Sequence, residues 1–234
     1  MRLLPFSALT AILVVAACNT KTSQQTRTTT SGGDQALVRF VNADPRTPSA
    51  DLWFGDRSVA ANIAYKNVTP YMPLPDERST FKLRSAGSTA DLATNSEGLS
   101  EGRRYTVVAM RSPDGSARLV AVSDTLTAPA PGKAKVRMIN SAPRAGEVSL
   151  ATAGEESDIV DDLNFGNSSD FKEVDATRRT LEIRREGTHV GAVRLNTLQI
   201  QPGRLYTIVV TGEQALDAIR IEDELTGTQA ASLR

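Results

Sequence analysis

The sequence is poor in thiols and imidazoles, two side chains that often act as nucleophiles, general bases or zinc ligands. The 234-residue chain has one cysteine, Cys18, and one histidine, His189. A hydrolytic triad would have to be built on that single histidine, so this chemistry is disfavoured, and His189 in the turn REGTHVG is more simply a surface residue. A single cysteine excludes an internal disulfide framework and a cysteine-rich zinc site. The sequence therefore predicts no cofactor and no metal.

Carboxylates offer a second possible chemistry. The stretch EESDIVDD holds the acids Glu155, Glu156, Asp158, Asp161 and Asp162. Calcium takes six to eight oxygen ligands, but the spacing is not that of an EF-hand and the glycine of its turn is missing. A solvated acidic loop is the preferred interpretation. Two acids could also hydrolyse a glycosidic bond across a cleft, although the sequence locates no such cleft.

The charge balance bears on the class of partner. Lysine plus arginine and aspartate plus glutamate both total 27, so the formal net charge is zero. Nucleic-acid binding rests on neutralising phosphates with a basic surface. We therefore expect no nucleic-acid partner.

The N-terminus has the layout of a secretory signal peptide over residues 1–17. Arg2 supplies the positive charge, and Leu3 to Val15 is apolar but too short for a membrane span, which needs about 20 residues. The sequence Val-Ala-Ala-Cys that ends at Cys18 resembles the lipobox of bacterial lipoproteins. That resemblance implies cleavage before Cys18, acylation of this residue, and a membrane anchor made of several acyl chains.

A polar segment follows the cysteine. Residues 18–35 are rich in Thr, Ser and Gln and hold almost nothing to bury, so we expect a flexible tether. In Gram-negative lipoproteins an aspartate after the cysteine favours the inner membrane. Here that position is Asn19, so the resemblance implies a location in the outer membrane of the cell envelope.

The rest of the chain is an internal duplication. VRFVNADPR begins at Val38, and VRMINSAPR begins 98 positions later at Val136. Further matches follow in the same order at offsets of 100 and 101, including GRRYTVV with GRLYTIV. A period of this length is that of a domain rather than a solenoid repeat. We predict a first module over 36–128, a linker over 129–133 and a second module over 134–231.

Each copy is predicted to be β. Apolar residues alternate with polar ones in LVRFVNA, which favours a strand with one buried and one wet face. About seven such strands in roughly 100 residues are typical of a sandwich. The predicted fold is therefore all-β, with two tandem immunoglobulin-like or fibronectin-like β-sandwich domains. Tyr105 and Tyr206 follow an apolar-x-x-Gly-x-x-Tyr spacing that resembles the structural tyrosine corner of such folds.

Three aromatic residues are candidate binding residues. Alternation in DLWFG places Leu52 and Phe54 on one face and Trp53 on the other. If the first two face the core, Trp53 could stack on a sugar or a partner. We favour the alternatives, opposite register or packing against the neighbouring module, because large aromatics are buried on average. Tyr65 and Tyr71 flank a proline-containing loop and carry the same ambiguity.

The segments VRFVNADPRTPSADLWFGD, YKNVTPYMPLP and GRRYTVV resemble the modules of domain-of-unknown-function family 4397. These are β-rich modules of bacterial envelope and secreted proteins, often in tandem and often behind a lipobox. The second copy departs from the pattern, because FGNSSDFKEVD replaces YKNVTPYMPLP and loses its prolines. The resemblance implies no activity.

The sequence therefore predicts a non-enzymatic cell-envelope lipoprotein. Its two modules would bind an envelope protein or a glycan, or act as a structural spacer on the membrane surface. The alternative is a carboxylate-dependent hydrolase of envelope or extracellular glycans.

Overall fold

The computed structural model describes residues 35–176, 180–185, 187, 191–196, 198–223 and 225. The predicted signal peptide, Cys18, the tether up to residue 34, and His189 lie outside these residues. Within the described part, no helix is long and apolar enough to cross a bilayer.

The first copy forms eight strands, each built on alternating or continuous apolar residues. They are β1 Gln35–Asn42, β2 Ser49–Phe54, β3 Arg57–Ala64, β4 Met72–Pro75, β5 Arg78–Ser85, β6 Asp91–Gly98, β7 Arg104–Arg111 and β8 Ala117–Ser123. The turn RSPDGSA joins the antiparallel pair β7 and β8, and Gly115 takes a φ of 87° there. This φ lies in the left-handed region, which glycine adopts without steric cost.

The second copy repeats this order. Its strands are β9 Lys133–Asn140, β10 Val148–Thr152, β11 Asp158–Leu163, β12 Lys172–Asp175, β13 Leu181–Arg185, β14 Gly191–Arg194, β15 Leu205–Thr211 and β16 Asp217–Asp223.

The sheets of the two copies have the same topology. In the first copy one sheet has the order β4-β1-β7-β8 and the other β3-β2-β5-β6. The second copy has the orders β12-β9-β15-β16 and β11-β10-β13-β14. The first strand of each copy runs parallel to the seventh, and all other pairs are antiparallel. Sandwiches of different families share the architecture without sharing one topology.

Each copy has its own apolar core between its two sheets. In the first copy this core includes Phe40, Leu52, Phe81 and Val107. In the second it includes Met138, Leu150, Ile183 and Ile208. The prediction of an all-β chain with two tandem sandwiches is confirmed, with eight described strands in each copy where about seven were expected. The predicted module boundaries stay a prediction.

A third apolar cluster joins the two copies. It contains residues from β1, β7, β9, β15 and β16, among them Val41, Met110, Ile139, Val209 and Ile221. The sheets that contain β1 and β9 therefore pack face to face, and the described residues of both copies belong to one compact unit. We call these two the inner sheets, and the sheets that contain β2 and β10 the outer sheets.

This packing corrects one expectation. The arginine side of LVRFVNA was predicted to be wet, yet Arg39 and its counterpart Arg137 are each only 2% exposed. Both faces of β1 and β9 are buried, one in the sandwich core and the other against the opposite copy. A strand between two such layers cannot be recognised by simple alternation.

The duplicated asparagines have a structural role at the ends of these strands. The side-chain amide of Asn42 donates to the carbonyls of Thr47 and Ile63 at 2.9 Å each. The amide of Asn140 donates to the carbonyls of Gly146 and Leu163 at 3.1 and 2.9 Å. Each fully buried asparagine thus satisfies loop carbonyls that would otherwise be left without a partner.

Candidate functional site

Trp53 lies on the open face of the outer sheet of the first copy. Its neighbours Leu52 and Phe54 are 0% and 4% exposed and face the core, so Trp53 points the other way. The opposite register therefore does not occur. Trp53 pairs with Ser58 of β3 and Lys82 of β5. The indole is partly exposed, while its N–H is buried without a hydrogen-bond partner among the described residues.

Charged side chains surround this indole. The guanidinium carbon of Arg84 lies 4.5 Å from the ring centroid, and Arg84 Nε donates to Asp91 at 2.6 Å. Lys82 donates to Asp56 at 3.1 Å. A guanidinium over an indole is attracted by the ring quadrupole. The Arg84 guanidinium therefore covers one face of the indole ring. Arg84 and Lys82 supply hydrogen-bond donors beside it.

Hydroxyl groups continue the same face toward β6. Thr80 and Ser96 are paired across the strands, with their hydroxyl oxygens 3.1 Å apart, and Thr94 pairs with Lys82. Leu92 follows the same alternation as Thr94 and Ser96 and is the one large hydrophobic that is exposed, at 41%, among the described residues. We call the outer face around these residues and Trp53 the Trp53 face.

The equivalent face of the second copy is covered. Ala151 takes the place of Trp53 and is fully buried, and Arg184, in the place of Arg84, is 2% exposed. Arg184 donates to Glu182 at 3.0 Å, to Asp158 at 2.9 Å and to the carbonyl of Glu155 at 2.6 Å. The β10–β11 loop is therefore tied down onto this sheet.

The other two aromatic candidates lie at the junction of the copies. The Tyr65 hydroxyl lies 3.2 Å from the Thr211 hydroxyl of the second copy. The Tyr71 hydroxyl donates to Asp124 at 2.7 Å, and Arg39 lies 4.7 Å from its ring centroid. Burial, reinforced by the Asp124 charge, raises the pKa of Tyr71 well above its usual range. The structure therefore does not bring Trp53, Tyr65 and Tyr71 together.

Buried ion pairs cross the junction in a reciprocal pattern. Arg39 of the first copy donates to Asp223 of the second at 2.7 Å, and Arg137 of the second pairs with Asp124 of the first. All four side chains are at most 7% exposed. Contacts of residue i with j and of the equivalent j with i are typical of a two-fold interface. The two copies are therefore packed like the subunits of a symmetric dimer.

The two tyrosines at equivalent corners make local backbone contacts. The Tyr105 hydroxyl accepts a hydrogen bond from the Ser100 N–H at 3.1 Å. The Tyr206 hydroxyl accepts from the Gln201 N–H at 3.0 Å and donates to the Gln199 carbonyl at 3.1 Å. These bonds run to backbone a few residues upstream, as in a tyrosine corner. Burial raises the pKa of Tyr206, against the opposing effect of the Gln201 N–H.

The acidic stretch EESDIVDD makes structural contacts beyond the Glu155 carbonyl. Asp158 pairs with Arg184, and the Ser149 hydroxyl accepts from the Asp162 N–H at 3.0 Å. The described residues hold no group of three or more metal-ligating side chains.

Glu155 and Asp175 both line a small cavity of about 160 Å³ in the second copy. This volume is below that of usual ligand pockets, about 300 Å³ and more.

Sequence reasoning missed the junction residues. Arg39, Arg137, Asp124 and Asp223 were not singled out as a network, although the arginines lie in the duplicated nine residues. The available signal was that a charged residue recurs at the same place in an otherwise apolar strand. Because arginine is almost never fully buried unless it is paired, its recurrence in an apolar strand indicates that each copy also supplies an acidic partner.

Comparisons with known proteins give one family and several distant structures. Residues 36–151 match the family described as "Domain of unknown function (DUF4397)". The match covers β1 to β8 and continues into β9 and β10. No curated protein matches the sequence.

Three solved structures illustrate the structural matches. One is an alpha-glucan-binding streptococcal virulence factor, with 10% identity, 74% of this chain and 92% of that chain covered, and a TM-score of 0.23. Another is a candidate cell adhesion protein from Bacteroides uniformis, with 10% identity, coverage of 84% and 99%, and a TM-score of 0.25.

The third is a family 26 carbohydrate-binding module from Eubacterium rectale in complex with maltoheptaose. It has 11% identity, coverage of 82% and 98%, and a TM-score of 0.23. Scores this low transfer neither a ligand nor a function to this chain.

Proposed function

We propose that this protein is a non-catalytic binding module that binds glycan chains on the Trp53 face. The observation that carries the proposal is the outward indole of Trp53 on an open sheet, flanked by Lys82 and Arg84 and by a row of hydroxyls. A flat aromatic ring stacks on the apolar face of a sugar, and the surrounding donors and acceptors match its hydroxyls.

The polarity of this face favours a glycan over a protein partner. Protein interfaces have an apolar core that excludes charged residues. The Trp53 face offers one tryptophan and Leu92 among charged and hydroxyl side chains, and Leu92 is the one exposed large hydrophobic in the described part of the chain. A structural spacer with no ligand remains the outcome if no glycan binds.

The proposal is tested by calorimetric titration of the purified protein with soluble glycans that a glycan array has selected. Trp53→Ala is expected to weaken binding by at least about fivefold, if stacking of a sugar on the indole contributes at least about 1 kcal/mol, the lower value for a base on an aromatic side chain. The control is Lys133→Ala, a partly exposed residue of the second copy outside the Trp53 face. Equal affinity of Trp53→Ala and the wild type would refute the Trp53 face as the site.

The only tryptophan gives a second measurement. Because Trp53 is the single tryptophan of the chain, intrinsic fluorescence reports on this face alone. Glycan binding there is expected to shift the wavelength of the tryptophan emission. If no glycan binds on the array and none changes the fluorescence, the structural-spacer hypothesis is supported instead. Release of sugar during these incubations would support the hydrolase alternative instead.

We further propose that the module is held on the outer membrane by a lipid on Cys18. The support is the apolar segment that ends in Val-Ala-Ala-Cys, together with Asn19 at the sorting position. Mass spectrometry of the mature N-terminus is expected to show an acylated Cys18. An unmodified cysteine would refute the anchor, and fractionation into inner membrane would refute the location.

A further inference from the structure

A cleft at the junction of the two copies is a separate feature from the Trp53 face. Its volume is about 360 Å³, and we call it the junction cleft. One wall is the end of β8 and the segment after it, including Ser123 and Thr127. The other wall is Lys135 and Arg137 of β9 together with residues 168–171. The volume falls at the small end of the usual range of ligand pockets, about 300–1,000 Å³.

The lining of the junction cleft is particular to the second copy. Lys135 stands where the first copy has Leu37, and Ser168 where it has Val68. Asp170 replaces Pro70 in the same stretch. These replacements convert apolar and proline positions into hydrogen-bonding ones on a single wall. Packing of the copies alone would not require that change.

The charges of the cleft balance. Lys135 and Arg137 are cationic, whereas Asp170 and the Asp124 that pairs with Arg137 are anionic. Lys135 is held by the hydroxyl and carbonyl of Thr127 at 2.6 and 3.2 Å. The cleft therefore offers charged donors without a net charge, which favours a neutral ligand over an anion.

Arg137 is the buried group that still has donor capacity here. The residue is 2% exposed and lines the cleft. Its Nε donates to Thr207 at 3.0 Å and its Nη2 pairs with Asp124, whereas Nη1 makes a single long bond of 3.4 Å to the Ser123 carbonyl. Nη1 carries two N–H groups, so at least one remains for a ligand.

An aromatic ring and hydroxyls complete the lining. The ring of Phe171 lines the cleft, with the Arg137 guanidinium 4.7 Å from its centroid. Serine and threonine hydroxyls both donate and accept hydrogen bonds, and they occur on both walls, at Ser123, Thr127 and Ser168. This combination of ring, hydroxyls and balanced charges suits a compact polyhydroxylated molecule.

We propose that the junction cleft binds one neutral sugar unit or a polyol of that size. The site does not depend on the Trp53 face, because the cleft is formed by β8, β9 and residues 168–171 rather than by the outer sheet of the first copy. Binding there would also bridge the two copies, since both contribute walls.

The test is two-dimensional NMR titration of the purified protein with D-glucose, D-galactose, N-acetyl-D-glucosamine and D-glucuronate in turn. We expect at least one neutral sugar to shift the amide signals of residues 123–127 and 168–171. Lys135→Ala is expected to weaken that binding about tenfold, the effect of one lost hydrogen bond to a charged group. Thr127→Val, which keeps the shape, should weaken it in the same direction.

Two control variants separate this proposal from the first. Lys82→Ala and Trp53→Ala, both on the Trp53 face, should leave the cleft signals and their affinity unchanged. The proposal is overturned if no neutral sugar shifts the cleft signals, or if the shifts cluster around Trp53. Tighter binding of glucuronate than of glucose would also overturn it, because the site would then select an anion.

Discussion

In the first copy, β2 carries Trp53 on an open outer face, whereas the equivalent residue of β10 is Ala151, which is fully buried. The difference arises from the next connection. β2 and β3 are joined by the tight turn at Gly55 and Asp56, whereas residues 153–157 separate β10 from β11. The longer loop folds over the sheet and is held there by Arg184.

This comparison shows how one duplicated sandwich acquired two kinds of surface. The same arginine position holds a partly exposed residue beside a tryptophan in one copy and a buried clamp in the other. A few loop residues decide whether the outer sheet can meet a ligand. Four predictions test this difference and the asymmetry at the junction, in order of decreasing effect.

The largest effect is expected for Arg184→Ala. The change leaves Glu182, which is 3% exposed, buried beside fewer partners, and breaking a buried pair costs about 3–5 kcal/mol of unfolding free energy. The matched variant Arg84→Ala removes a more exposed pair and should cost about 1 kcal/mol or less. Urea denaturation measures both. Equal losses would show that the second outer face is not clamped.

Tyr71→Phe tests the junction. The hydroxyl of Tyr71 donates to the fully buried Asp124 at 2.7 Å, and a hydrogen bond to a charged group contributes about 1.5–3 kcal/mol. We expect unfolding free energy to fall by this amount. The control Tyr65→Phe, which removes a 3.2 Å contact between neutral hydroxyls, should cost less. A larger loss of unfolding free energy in Tyr65→Phe than in Tyr71→Phe would contradict the role of Tyr71 in the buried ion-pair network at the junction.

Alkaline pH should separate the same variant from the wild type. Burial keeps the pKa of Tyr71 raised in the folded state, so the unfolded chain loses this proton first, near pH 10. The stabilisation is complete below about pH 10 and is lost above it, by about 1.4 kcal/mol per pH unit. Between pH 8 and 11, the free energy of unfolding should therefore depend less on pH in Tyr71→Phe than in the wild type. Parallel curves of unfolding free energy against pH for the two proteins would refute this.

The smallest effect is a gain, in Phe171→Tyr. Phe171 stands where the first copy has Tyr71, and Asp223 Oδ2, the counterpart of the atom that Tyr71 reaches, is buried without a hydrogen-bond partner among the described residues. A hydroxyl there should stabilise the fold by about 0.5–1.5 kcal/mol. Thermal and urea unfolding measure this, with Phe165→Tyr as the control. A loss of stability would show that the copies are not equivalent at this position.

Much of the fold follows from local sequence. Alternation in DLWFG indicated that Leu52 and Phe54 share one face and that Trp53 lies on the other, but not which face enters the core. The repeated nine residues indicated two copies of one module. The drift of the repeat offset from 98 to 100 marks the longer β10–β11 loop. The candidate residues were less predictable, because Tyr65 and Tyr71 contact residues more than fifty positions away.

The sequence by itself determined that this protein has two copies of a β module and that the side chains of β2 alternate between two faces. Those features rest on alternation and turn residues, which act over a few positions. Only the tertiary structure decided that Arg39 and Arg137 are buried and that Trp53 is open while Ala151 is covered. Whether a polar strand face meets water depends on the surface that packs against it, and local sequence does not specify that surface.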